Sequence, residues 1–572
     1  MKILENTIKR LGPALPVLML LIASPALATG PAKSAVETRS DSYYYFTTAQ
    51  LLKNSGDIKG AIELYKKAIE LDPASAILYS DLGHLYLQSG DPYKAKEYLL
   101  KAVEADPGYA PAYVQLAEIY TVMKDDRAAA ESYAKAIEIE PENQKNHLYL
   151  ATLYARAGEF DRGIEVLEKL LTIKPDAIMA YYYMAKIEFE RNGYGKAEEY
   201  YLKALEISDT FEAAYYELGL TYELDKKYAE AEETYKKAIS VLREDRGFRS
   251  KLGGLYIQQD RLDDALAQYR ELEAYEETRN DARVKIGLIL FEKRDFDGAI
   301  EKLRLVLAER PDLHKIRYYM AVAYEEKGDM ESASREFGSI PADDSSFVDS
   351  KIHLAYIYEK LGEMDRAIGE IKEALDVKEG DHELLNLLAS VYREAKMYDK
   401  AVETIKTSIE LEPADADLYF TLGVLYDDLG KENLVFEAMY KAVELNPEHT
   451  NALNYIGYSY AEKGIRLDEA EELIKKALVI QPESGYYLDS LGWVYYKKGE
   501  FEKAIEELER AAQYLPDDPL VIEHLGDAYL KRSFKEKALM SYENAARLDP
   551  ENDEIKGKIN SLKEALKVLK AE

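Results

Sequence analysis

The stretch Ala76–Tyr109, AILYSDLGHLYLQSGDPYKAKEYLLKAVEADPGY, decides the fold. It reads as two short amphipathic helices with a tight turn at Gly90-Asp91. Gly83 places a small residue midway in the first helix, and Ala95 and Ala102 do so in the second. Tyr79, Leu82, Tyr86 and Leu99 supply bulk between them, and Pro107 closes the unit where a helix cannot continue. One period later the pattern returns as Tyr113, Leu116, Ala117, Tyr120, Ala129, Tyr133, Ala136 and Pro141. Two helices approach closely only where one offers a small residue to the other's bulk, so Gly83 and Ala95 join the halves of one hairpin. Ala102 leaves room for the next. A single hairpin cannot cover its own apolar side, so neighbours must stack.

A period of about 34 residues with this spacing is similar to that of the tetratricopeptide (TPR) repeat. The expected fold is all-α: an α-solenoid, the right-handed TPR superhelix, of about fifteen helix-turn-helix repeats with a C-terminal capping helix. The units fall at 42–75, 76–109, 110–143, 144–177, 178–211, 212–245, 246–279, 280–313, 314–347, 348–381, 382–415, 416–449, 450–484, 485–518 and 519–552. The thirteenth carries one extra residue in Lys463-Gly464-Ile465-Arg466-Leu467. Residues 553–572 continue as a charged helix with Ile555, Ile559, Leu562, Leu566 and Leu569 on one face, suited to cap the array.

Ahead of the array, residues 1–28 read as a secretory signal. Lys2, Lys9 and Arg10 precede the apolar run Ala14–Ala23, and Ala26-Leu27-Ala28 offers a small-residue cleavage site. The run is too short to span a bilayer, and no later segment is apolar enough to do so. Residues 29–41, with Gly30 and Pro31, read as a linker. The expected location is export to a bacterial periplasm, peripheral at the outer membrane at most.

The chain has 572 residues and a net charge of −32, which argues against a nucleic-acid partner because such a partner needs a basic face. It contains no cysteine, which excludes thiol catalysis, disulfides and a lipid anchor on cysteine. No cofactor or metal motif occurs. The nearest, His382-Glu383-Leu384-Leu385-Asn386, lacks the second histidine of a zinc-binding helix. The chain is therefore expected not to be an enzyme.

The middle is less regular. Asp209 and Arg243 replace the closing proline in repeats five and six, and in repeat nine it comes early, as Pro341. These weak closing signals mean either a bend or degenerate repeats, with degeneration the favoured reading. The fourth position, aromatic or apolar in most units, becomes Arg249, Arg283, Arg317 and Lys351 in repeats seven to ten. This basic ladder either pairs with neighbouring carboxylates or docks an acidic segment.

The TPR resemblance implies that partners lie along the first helices, at the second, fifth, ninth, twelfth and thirteenth positions. These include Tyr182, Phe189, Tyr216, Phe291, Tyr318, Tyr356, Phe420, Tyr458, Trp493 and Tyr496, with Glu223, Glu292, Glu325, Asp427, Asp428 and Glu462 on the same helices. Rigid aromatics with a polar tip suit protein interfaces, and the acids favour basic flanks on the bound segment. The stretch 453–512, containing LDSLGW, with Glu523-His524-Leu525-Gly526-Asp527 after it, resembles the end module of exported bacterial TPR proteins. That resemblance implies a scaffold or adaptor of the cell envelope whose partners include a periplasmic protease or its clients. The alternative is a component of an export or polysaccharide-secretion machine.

Overall fold

A computed structural model describes residues 35–571. Residues 1–28, read as a signal, lie outside the described residues, as do 29–34 of the expected linker. Thirty-one helices follow one another, with no strand among the described residues. They form fifteen consecutive hairpins and a closing helix, Asp553–Ala571. The first helices of repeats two to six begin at Ala76, Ala110, Gln144, Ile178 and Glu212, where the periodicity places them. Those of repeats eight and ten begin one residue early, at Arg279 and Phe347.

The linker expectation needs one correction. The opening helix spans Ala35–Asn54, so residues 35–41 are helical. No glycine or proline follows Pro31 in that stretch, and nothing interrupts the helix upstream of the first repeat.

Each hairpin turn contains a residue in the left-handed region. It is glycine in eight repeats, as at Gly56 and Gly90, and a longer side chain in the other seven, as at Lys124 and Lys396. An aspartate caps the second helix in several repeats: Asp57, Asp91 and Asp125 accept from the backbone N–H groups of Gly60, Lys94 and Ala128. This satisfies donors that the helix start leaves open. In repeat thirteen the first helix, Thr450–Lys463, is as long as His314–Lys327 and Gly485–Lys498, so the extra residue lies in the turn, where both Gly464 and Arg466 are left-handed.

The small-to-large packing is tight. A Cβ added at Gly83 would stand 2.7 Å from Leu99 Cγ, and one added at Gly219 would stand 2.2 Å from Tyr235 Cε1. The small residues of the second helices, Ala61, Ala95, Ala102 and Ala129, are fully buried.

The hairpins form two compact units, one up to Gln268 and one from Tyr269 onward. In the first, the core is a chain of clusters, Ala49–Ile119, Ala117–Leu153 and Ala151–Ile187. In the second, one contiguous cluster runs from Ile300 to Leu562. Ile555 and Leu562 of the closing helix are buried within it, and Ile559 and Leu566 pack on its edge. In repeat nine the second helix, Met330–Gly338, has nine residues where its counterpart Met364–Val377 has fourteen. Phe337 and Ile340 are nonetheless buried, so the shortened repeat keeps its place in the core.

Candidate functional site

The ten aromatics expected on the partner-binding face all lie on first helices, but their exposure divides them. Tyr216 (41% exposed) and Tyr356 (51%) stand open to solvent. Tyr182, Phe189, Phe291, Tyr318, Phe420, Tyr458 and Tyr496 are half-buried. Trp493 is buried, with 8% exposure, and here the expectation is corrected. Its ring lies between Tyr496, with centroids 4.6 Å apart, and His524, 4.0 Å apart, both nearly parallel to it. Its indole N–H donates to Glu462. His524 is itself fixed by Asp489, Nδ1 to Oδ1 2.9 Å. Trp493 thus serves packing between repeats rather than an open surface.

Other members of the set are also tied into the array. The Tyr318 hydroxyl lies 3.1 Å from His353 Nε2, and His353 Nδ1 lies 2.7 Å from Glu325 Oε2. Tyr182 packs between Tyr201 and Phe211. Phe189 lies against Tyr194, Phe291 against Phe296, and Phe420 against His449. Burial, with the charge of Glu217, pushes the Tyr182 hydroxyl above its ordinary pKa. Burial, with Glu462 and Asp489, does the same at Tyr458. These hydroxyls stay protonated and remain donors.

Several of these rings already hold an ammonium group of the chain. Lys251 Nζ stands 4.9 Å from the centroid of Tyr216, Lys360 5.1 Å from Tyr356, and Lys497 4.9 Å from Trp493. An ammonium over an aromatic face is held by the ring quadrupole.

The basic ladder is occupied from within. Arg249 bonds Asp245 at 2.6 Å. Arg283 bonds Glu273 at 3.2 Å and Glu309 at 2.9 Å. Arg317 bonds Glu336 at 2.8 Å. Lys351 reaches Glu370 at 2.6 Å and Glu373 at 2.5 Å. Burial alone would lower the pKa of Lys351, but the two glutamates outweigh it and the net shift is upward. Of the two readings of this column, the geometry matches pairing with neighbouring carboxylates.

Sequence reasoning overlooked Tyr455 and Ser459 on the helix Thr450–Lys463. With Tyr458, Phe436 and Asp427 they line an open cleft of about 380 Å³. A signal was present: Ser459 occupies the tenth position, where most other repeats carry a buried Leu, Ile or Val such as Leu85, Ile119, Leu153 and Ile357.

Among the described residues, no group of three or more His, Asp or Glu is arranged to hold a metal ion. No described helix is long and apolar enough to cross a membrane.

Sequence models of the tetratricopeptide repeat match most of the chain. They cover residues 49–90, 76–109, 123–187, 212–241, 250–314, 290–347, 348–381, 382–415, 416–449 and 492–532. A TPR repeat-containing protein of Pseudomonas aeruginosa is 42% identical over 65 residues, a match spanning 11% of each chain. Among solved structures, MamA is 30% identical over 31% of this chain and 94% of its own, with a TM-score of 0.28. The anaphase-promoting-complex assembly Cut9–Hcn1 is 14% identical over 79% of this chain and 96% of its own, with a TM-score of 0.36. YrrB, described as a TPR protein with an unusual peptide-binding site, is 21% identical over 32% of this chain and 97% of its own, with a TM-score of 0.27. With helical hairpins at a 34-residue period throughout the described residues, and repeat matches along most of that length, the chain belongs to the tetratricopeptide-repeat family.

Proposed function

We propose that this protein is a non-enzymatic interaction scaffold, exported to the bacterial cell envelope, whose first-helix face binds segments of other proteins. The observation that carries the reading is the exposure of Tyr216 and Tyr356 on that face. Neighbouring aromatics on the same helices, such as Tyr215, Tyr222 and Tyr358, are buried. A large aromatic left open on a stacked array is an anchor waiting for a complementary pocket or helix. The envelope assignment rests on the signal-like residues 1–28 and on the resemblance of 453–512 to exported repeat proteins. A periplasmic protease or its clients are the partners that this resemblance favours.

The test is a photo-crosslinking amino acid placed at Tyr216 or at Tyr356, followed by mass spectrometry from intact cells. Crosslinks to exported proteins from both positions are expected. Crosslinks confined to cytosolic proteins would overturn the envelope assignment. No protein crosslink from either position would overturn the binding face.

A further inference from the structure

The cleft between repeats twelve and thirteen differs from the rest of the first-helix face. It is lined by Phe436 and Val435 of the helix Glu432–Leu445, by Tyr455, Tyr458 and Ser459 of the helix Thr450–Lys463, and by Asp427 of the preceding first helix. Its origin is local. At the tenth position of the repeat, a Leu, Ile or Val normally wedges against the preceding hairpin, as Leu425 and Val494 do in the repeats on either side. Ser459 is smaller and polar, so the wedge is missing and the space stays open.

The chemistry of the walls selects one kind of occupant. Tyr216, Tyr356 and Trp493 each carry a lysine of the chain over the ring. Among the described residues, no such cation lies over Tyr455 or Tyr458. Three carboxylates rim the cleft, and they differ in what they already hold. Glu432 is paired with Lys463. Glu462 accepts the Trp493 indole N–H and has Lys497 4.0 Å away. Asp427 has no cationic partner among the described residues. Burial, with the charge of Asp427 beside it, holds the Tyr455 hydroxyl above its ordinary pKa. Lys463 also lines the cleft, with its Nζ 4.8 Å from the Phe436 centroid. That contact shows an ammonium group seated on an aromatic wall beside a carboxylate within this cleft.

We propose that this cleft is a specificity pocket for a lysine or arginine side chain on the bound partner segment. The cation would sit against Tyr455 and Tyr458 with Asp427 as counter-charge, and its aliphatic stem would fill the space that Ser459 leaves. The pocket rests on the first-helix face being the binding face, since Asp427, Tyr458 and Glu462 belong to that face. A cation over an aromatic ring beside an unpaired carboxylate gains from both, and the net charge of −32 draws basic segments toward it.

The test uses the full chain and a rhodamine-labelled peptide, Gly-Ser-Leu-Lys-Leu-Arg-Leu-Ser-Gly, followed by anisotropy at physiological salt. A second peptide carries acetyl-lysine and citrulline in place of lysine and arginine. Ser459→Leu closes the cleft without changing any charge, so it separates the pocket from general attraction to an acidic protein. Asp427→Asn keeps the side chain's shape while removing the counter-charge, and covers the case in which Ser459→Leu folds poorly. The expected result is roughly tenfold weaker binding for either variant and for the neutral peptide, as for loss of a charged hydrogen bond. Equal affinity for the two peptides, or wild-type binding by both variants, overturns the pocket. If Tyr216→Ala or Tyr356→Ala then weakens binding, the binding face stands without this pocket. If neither does, the face itself fails as the site of this peptide.

Discussion

At the scale of single residues, the array depends on what stands at the eighth position of each repeat. Gly219 and Gly254 lie on neighbouring first helices, yet a methyl group would meet very different surroundings. At Gly219 it would run into the Tyr235 ring, whose hydroxyl is anchored on Glu223. At Gly254, one position further along its repeat, nothing stands within 4 Å. Gly219→Ala should cost about 1–3 kcal/mol through overpacking. Gly254→Ala should stabilise by about 0.5–1 kcal/mol, because alanine loses less backbone entropy in a helix. Chemical denaturation of the two variants checks both signs. The eighth-position pattern was readable in the sequence. The direction of each effect was not, since it depends on which side chain reaches the site from the partner helix.

At the scale of the helix, the same repeat position changes meaning at the end of the array. Leu85, tenth in repeat two, is fully buried against the preceding hairpin. Leu51, tenth in repeat one, is 68% exposed, and Tyr44 at the third position is 65% exposed. Leu85→Ala should therefore cost about 2–5 kcal/mol, and Leu51→Ala within about 0.5 kcal/mol. Thermal melts of the two variants compare them directly. Charge links neighbouring hairpins in a similar way. Glu232 accepts from Arg261 at 2.5 Å and from the Tyr256 hydroxyl at 2.9 Å. The hydrogen bond from Arg261 is the main cause that holds its carboxyl at about 2, below the ordinary 4.5. A lowered folded-state value adds stability that is present above the unfolded value and is lost as pH falls toward the folded one. Glu232→Gln should therefore be less stable than wild type at neutral pH, and the gap should shrink between about pH 4.5 and 2. Urea unfolding of both proteins across that range tests the sign. A gap that widened on acidification would contradict it.

At the scale of the whole molecule, hairpins that touch mainly their sequence neighbours make stability a sum of local terms. A weakened hairpin should open without melting distant ones. Gly219→Ala should speed amide hydrogen exchange in residues 212–245 and the hairpins beside them, and leave residues 382–449 at wild-type protection. Uniform acceleration along the chain would refute local coupling. The repeat boundaries were legible in the sequence because the period is regular, and the early proline of repeat nine shows as a shortened second helix, Met330–Gly338. The site was less legible. Trp493 and Tyr356 share the ninth position of their repeats and were indistinguishable in sequence. His524 and Tyr496 cover the first, while the second stands open.

The sequence by itself determined the hairpin, its period, the number of units and the closing helix. Those follow from small and large residues at fixed spacing along one chain, a local matter that neighbours in sequence settle. Only the tertiary structure decided which aromatics remain exposed, that the basic column is neutralised by carboxylates, and that Ser459 opens a cleft. Each of those depends on what a helix packed alongside brings to the spot, from the same hairpin for Arg317–Glu336 and Lys351–Glu370 and from the next hairpin for Trp493–His524, and a period read along one strand of text does not carry that information.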